Sequence, residues 1–191
     1  MSLPAASPIA RPGGVTGACV RSVALSGIGG LRLEVSARAE AGLPGFEQRG
    51  MRREGLGERA GRVWSAVTAS GLPWPGSKVT VTVAPGWRLK HETAVDLAMA
   101  VAVLAAGCTV PADEAAGVMY YAGLGADGRL ARVPGVLPSA LEAAGAGCRA
   151  LVVAAEDAAE ARLVTGLAVI GAASLGEVAG WLCVSRVLAL E

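Results

Sequence analysis

The sequence predicts one α+β domain, close to the α/β type, in which a mixed sheet carries helices mainly on one face. Three observations predict it. Strand-like segments crowd the first half, strand–helix units alternate through the second, and the apolar content is small and aliphatic. The chain is 53% hydrophobic with 4% aromatic residues and 27 glycines, which suits helices packed closely on a sheet rather than an aromatic binding platform.

In order, Met1–Gly14 (MSLPAASPIARPGG) has no apolar core of a signal peptide and reads as a Pro/Ala/Gly leader. Ala18–Leu25 and Leu31–Ala37 read as strands around the turn SGIGG, and Gly45–Arg49 as a third. Arg52–Ser70 has helical spacing, with Leu56, Val63, Trp64 and Val67 as its core stripe. GLPWPG then breaks the helix, and KVTVTVAP alternates strictly, placing Val79, Val81 and Val83 on one face.

A buried helix follows, ending in DLAMAVAVLAAG, and then the short PADEAAG. Met119–Leu124 and Arg129–Val133 read as strands around GADGR. Helix Pro138–Ala146, strand Ala150–Val153, helix Glu156–Val164, strand Leu167–Ile170 and helix Ser174–Leu182 complete the alternation. The expected organisation is a leader (1–14), one domain (15–183) and a tail (184–191).

Composition excludes several classes. Mean hydropathy is +0.50, but no run of about 18 uninterrupted apolar residues exists, so no membrane contact is expected. With 17 basic and 16 acidic side chains the balance is near neutral, where a protein that coats nucleic acid is normally more basic, so any such contact is expected to be local. Cys19, Cys108, Cys148 and Cys183 form no C-x-x-C pair and only one histidine accompanies them. Buried free thiols in a reducing cytoplasm are expected, with no bound metal.

Two stretches suggest chemistry. GLPWPGSK (Gly71–Lys78) approaches a phosphate-binding loop, but Ser77 and Lys78 stand in the wrong order and two prolines remove backbone donors. It reads as a tight turn. RLKHETAVDLAMAVAVLAAG (Arg88–Gly107) gathers Lys90, His91, Glu92, Thr93 and Asp96 ahead of an apolar helix. Thr93 could be a nucleophile with His91 or Lys90 as its base. The favoured reading is a capping box, Thr93 as N-cap and Asp96 at the third helical position. Arg49, Arg52, Arg53, Arg59 and Arg62 form the most basic neighbourhood, expected as a solvated face with a Glu58–Arg62 pair, or as a contact for DNA or a subunit.

LPGF (Leu43–Phe46), ERAGRVWSAVTASGLPWPGSKVTVTVAP, DLAMAVAVLAAG, GRLARVPGVLPSALEAAGAG and LVVAAEDAAEARLVTGLAVIGAASLGEV together resemble the N-terminal domain of the magnesium-chelatase-like ComM/YifB family. The resemblance runs from about Cys19 to Trp181. It implies a fold similar to the proteolytic domain of Lon, with a left-handed βαβ crossover, set ahead of an AAA+ ATPase in hexameric rings. It also implies a role in DNA processing, through branch migration during natural transformation.

Lon enzymes carry a catalytic serine at the start of the buried helix and a lysine later. Ala94 and Leu137 stand at those positions here, so no catalytic residue is expected. Thr93 would point about 100° around the helix from the nucleophile position. RGMRR (Arg49–Arg53) and APGWRLKHE (Ala84–Glu92) depart from the family's usual turns.

The resulting expectation is a non-catalytic, cytoplasmic, structural or interaction domain with no cofactor of its own. ATP and Mg2+ would belong to a downstream AAA+ module. Its partners would be that module, ring neighbours and, through the full-length protein, DNA, with Arg52, Arg53, Arg59 and Arg62 as the contact. The alternatives are a hydrolase using Thr93 with Lys90 or His91, and a direct DNA-binding module.

Overall fold

The computed structural model describes residues 16–50, 56–85 and 93–188. Two long antiparallel strands, β1 (Thr16–Ser26) and β2 (Gly29–Glu40), form the centre of a seven-stranded sheet. β3 (Gly45–Arg49) and β4 (Lys78–Ala84) lie beyond β2. β5 (Val118–Tyr120), β8 (Ala150–Ala154) and β9 (Ala168–Ala172) extend the sheet from β1. The expected strand Met119–Leu124 divides: its first part is β5, and β6 (Gly123–Leu124) leaves to pair with β7 (Leu130–Ala131). Gly128 turns that hairpin at φ +81°, where a Cβ would collide with Ser70 Oγ.

Among the described residues six helices cover the sheet: α1 (Leu56–Ala69), α2 (Val95–Ala106), α3 (Ala112–Ala116), α4 (Val136–Gly145), α5 (Ala158–Ala161) and α6 (Leu175–Leu188). The expected helix Glu156–Val164 is a 3-10 turn (Ala155–Asp157) followed by the single turn of α5, and α6 runs further than Ser174–Leu182. α1, α2, α3 and α6 share one core cluster with Val20, Val35, Val79, Val81, Val83, Tyr120 and Val152. α4 and α5 pack on the other face against Val23, Met119, Leu151 and Val153. The alternation Met119/Tyr120 and Leu151/Val152 is the strand period distributing neighbours to opposite faces.

The topology fixes a feature of handedness. β3, β4, β1, β5, β8 and β9 all run one way, and β2 runs against them. The connections β3–α1–β4 and β8–α5–β9 each step one place in the same direction along the sheet. Yet α1 and α5 lie on opposite faces. Connections that step alike over opposite faces have opposite hands, so one of them is left-handed, against the usual right-handed rule. This meets the expectation drawn from the Lon-like resemblance.

All twelve residues of α2 are buried. Ala, Val, Leu and Met serve every direction there because the helix is wedged between the sheet and α1 and α3. Trp64 departs from the expected core stripe. Val63 and Val67 are fully buried, but Trp64 is 40% exposed and stacks on Trp74 at 4.4 Å, which meets Phe46 edge-on at 5.3 Å. The side chain of Leu56 lies outside the described residues.

Candidate functional site at the start of the buried helix

The Thr93–Asp96 segment does not form the capping box expected of it. Helix α2 begins at Val95, its N-cap is Ala94, and no side chain caps it. Ala94 is already αR, at φ −61° and ψ −23°, so the chain enters the helix one residue later than a Thr93 cap requires. Thr93 is exposed, with its carbonyl accepting from the Asp96 N–H at 3.1 Å. No hydrogen bond joins its hydroxyl to a described residue.

Asp96 therefore sits at the second helical position and has another task. It is fully buried, and α1 presents Arg59 and Arg62, three residues apart on one helical face, to its carboxylate. Arg62 Nε donates to Oδ2 at 2.7 Å. Arg59 Nε lies 2.9 Å from Oδ1 as an ion contact, without the alignment of a hydrogen bond. Burial holds the carboxyl above its ordinary value, and the two guanidinium charges offset only part of that rise. The positive end of α2 adds a favourable field for the anion.

This corrects the expected solvated arginine face. The Arg59 and Arg62 side chains are only 13% and 31% exposed, and Arg62 turns to Asp96 rather than to Glu58. Arg52 and Arg53, as well as Lys90 and His91, lie outside the described residues.

The two residues expected at the positions of a Lon-type dyad are both described. Ala94 is 3% exposed and packs with Val23, Met119, Tyr121 and Val136. Leu137 is 36% exposed in the first turn of α4, its backbone N–H reaching Glu160 Oε1 at 3.3 Å. Around it, buried Asp157 accepts from Arg132 Nε at 2.7 Å and from the Val133 N–H at 3.2 Å, and the Tyr121 hydroxyl donates to the Pro134 carbonyl at 2.7 Å. Gly135 turns the chain into α4 at φ +86°, where a Cβ would meet the Leu25 side chain. The loop is held from several sides, and the polar groups near it are occupied in holding it.

Lys78, the one lysine among the described residues, lies on the open sheet face instead. There Glu47 bridges Arg49 at 2.9 Å and Lys78 at 3.0 Å, and both cations hold its carboxyl below the usual range. Arg49 and Lys78, with Ser36, Arg38, Glu40, Thr80 and Thr82, line a shallow hollow of about 310 Å³. No group of three His, Cys, Asp or Glu side chains among the described residues could hold a metal. No helix among them is long and apolar enough to cross a membrane.

A sheet with crossovers of both hands, wrapped around a wholly buried helix whose entry is held by an Arg–Asp–Arg cluster, defines the class of domain. Comparison with known proteins then gives the family. Residues 35–157 match the family of subunit ChlI of Mg-chelatase. An uncharacterized protein of Mycobacterium tuberculosis is 38% identical over 161 residues, which is 84% of this chain and 32% of that protein. The uncharacterized protein YifB of Salmonella typhimurium is 34% identical over 148 residues, 78% of this chain and 29% of YifB. Competence protein ComM of Haemophilus influenzae is 32% identical over 148 residues, again 78% and 29%. The chain belongs to this magnesium-chelatase-like family, with YifB and ComM. It spans about a third of the length of these relatives.

Proposed function

We propose that this domain is a non-catalytic structural and interaction unit of a ComM-type, magnesium-chelatase-related AAA+ protein. In this reading it helps to assemble or position an ATP-driven motor that processes DNA. The observation that carries the reading is the filling of the dyad positions: a buried methyl at Ala94 and a half-exposed isobutyl group at Leu137. Neither can attack or ionise. The carboxylate nearest the start of α2, Asp96, is engaged by two arginines and is not free to serve a nucleophile. ATP and Mg2+ would be bound by a separate AAA+ module, and ring neighbours and that module would be the partners in a cytoplasmic hexamer.

The test is hydrolysis of casein and of a fluorogenic peptide library by the 191-residue chain, alongside Thr93→Ala. No turnover by either protein is the expected result. Turnover that disappears in Thr93→Ala would establish the hydrolase reading through Thr93 with Lys90 or His91. Direct DNA binding through Arg52, Arg53, Arg59 and Arg62 draws little support from the geometry, because the latter two are already turned onto the buried Asp96 carboxylate. The open sheet face also mixes Arg38, Arg49 and Lys78 with Glu40 and Glu47 rather than presenting one sign. Single-stranded DNA affinity at low salt that falls when Arg52 and Arg53 become Ala would reverse this conclusion.

A further inference from the structure

The four cysteines are all free, but they do not match the expectation of buried thiols: Cys148 is buried, whereas Cys19, Cys108 and Cys183 are exposed. Two of the exposed ones share a location. Cys108 follows the end of α2, Cys183 lies on α6, and both line one hollow of about 390 Å³ with Thr109, Pro111 and Arg186. The Cys183 thiol donates to the carbonyl of Thr109, the residue next to Cys108, at 3.7 Å.

The backbone at Cys108 adds a second observation. Its φ is +58°, the one positive φ of a residue other than glycine among the described residues. Just past the end of a helix such a conformation favours glycine or asparagine. Here it is occupied by an exposed cysteine in a hollow that a second exposed cysteine also lines, a strained position of the kind found at functional sites. Cys19 is a poorer reactant, since burial and the Glu34 carboxylate push its thiol up.

We propose that Cys108 and Cys183 are a redox-modifiable pair that closes to a disulfide when the protein meets a peroxide, fastening α6 to the end of α2. The Cys183 thiolate attacks one peroxide oxygen, the O–O bond breaks, and hydroxide leaves and takes up a proton as water. The sulfenic acid formed on Cys183 is then attacked by the Cys108 thiolate. The S–S bond forms and a second hydroxide leaves as water, so two thiols and one hydrogen peroxide give one disulfide and two waters. The bridge would tie together segments far apart in sequence, the arrangement in which a crosslink most restricts the unfolded chain. A reducing cytoplasm would reopen it, as befits a transient disulfide.

The experiment treats the 191-residue chain with hydrogen peroxide, quenches with iodoacetamide, and maps peptides by mass spectrometry without reduction. A Cys108–Cys183 peptide is expected, together with a mass loss of two hydrogens per chain. Tm should rise by roughly 5–10 °C and fall back with dithiothreitol. Cys108→Ser and Cys183→Ser should each abolish the crosslink, and Cys19→Ser should retain it. Alkylating the folded wild-type protein beforehand should block it too, a measurement independent of how the variants fold. A bridge to Cys19 or Cys148, a bridge between two chains, oxidation without any crosslink, or a crosslink that leaves Tm unchanged would each overturn the proposal.

Discussion

Replacing Asp96 with alanine is the most searching test of how the start of α2 is held. The carboxylate is fully buried and within 3 Å of two guanidinium groups, one of them 13% exposed. Removing one partner from a buried ion pair costs about 3–5 kcal/mol, because the remaining charge stays desolvated. Two features reduce that here. Arg62, 31% exposed, can swing its head toward water, and the desolvation that raises the Asp96 carboxyl is itself relieved. A loss of about 3 kcal/mol is therefore expected, equivalent to a fall in Tm of roughly 6–12 °C for a domain of this size.

Urea unfolding followed by circular dichroism measures the loss. The double variant Arg59→Met, Asp96→Leu, which removes charge from both helices, should recover part of it. A loss below about 1 kcal/mol in Asp96→Ala would show that the carboxylate is hydrated and the cluster energetically idle. No recovery in the double variant would show that the single-site loss did not come from a stranded Arg59.

Thr93→Ala should change stability by less than about 0.5 kcal/mol in the same urea assay, since Thr93 is exposed and caps nothing; a loss near 1 kcal/mol would restore the capping box. Leu104→Ala, at a fully buried site of α2, should cost about 2–5 kcal/mol, with the midpoint shifted and the slope unchanged. Tyr120 is buried, its hydroxyl donating to the Ala115 carbonyl at 3.2 Å, and burial holds its pKa far above the ordinary value. The folded protein thus keeps this proton after the unfolded chain has released its own. Its contribution is whole below about pH 10 and shrinks above it, by up to about 1.4 kcal/mol per pH unit. A stability–pH profile of Tyr120→Phe should lack that slope, and identical slopes would refute the assignment.

Much of the fold was legible because burial follows local period. Val79, Val81 and Val83 alternate and all face the core, and an apolar run as long as Leu97–Ala106 leaves no polar side for solvent. Boundaries failed where distant partners decided them. Tyr121 leaves the main sheet after its N–H bonds the Val152 carbonyl, and its hydroxyl fastens the Pro134 carbonyl, so one expected strand becomes two. Trp64 had core spacing, yet it is 40% exposed and its partner is Trp74, which is only partly buried. At the site, the identities of Ala94 and Leu137 could be read directly, because a side chain that cannot ionise is apparent from its name.

The sequence by itself determined the class of domain, the apolar run Leu97–Ala106 of the central helix and the absence of ionisable groups at the two positions expected of a dyad. These depend on side-chain chemistry and on spacing within a few residues. Only the tertiary structure decided that Asp96 joins Arg59 and Arg62 rather than completing a cap, and that Cys108 and Cys183 share one hollow. It alone, too, settled that connections of both hands coexist in one sheet. The reason is physical: each of these facts is a meeting of segments far apart in the chain, and it is the packing of helices on the sheet that brings them together.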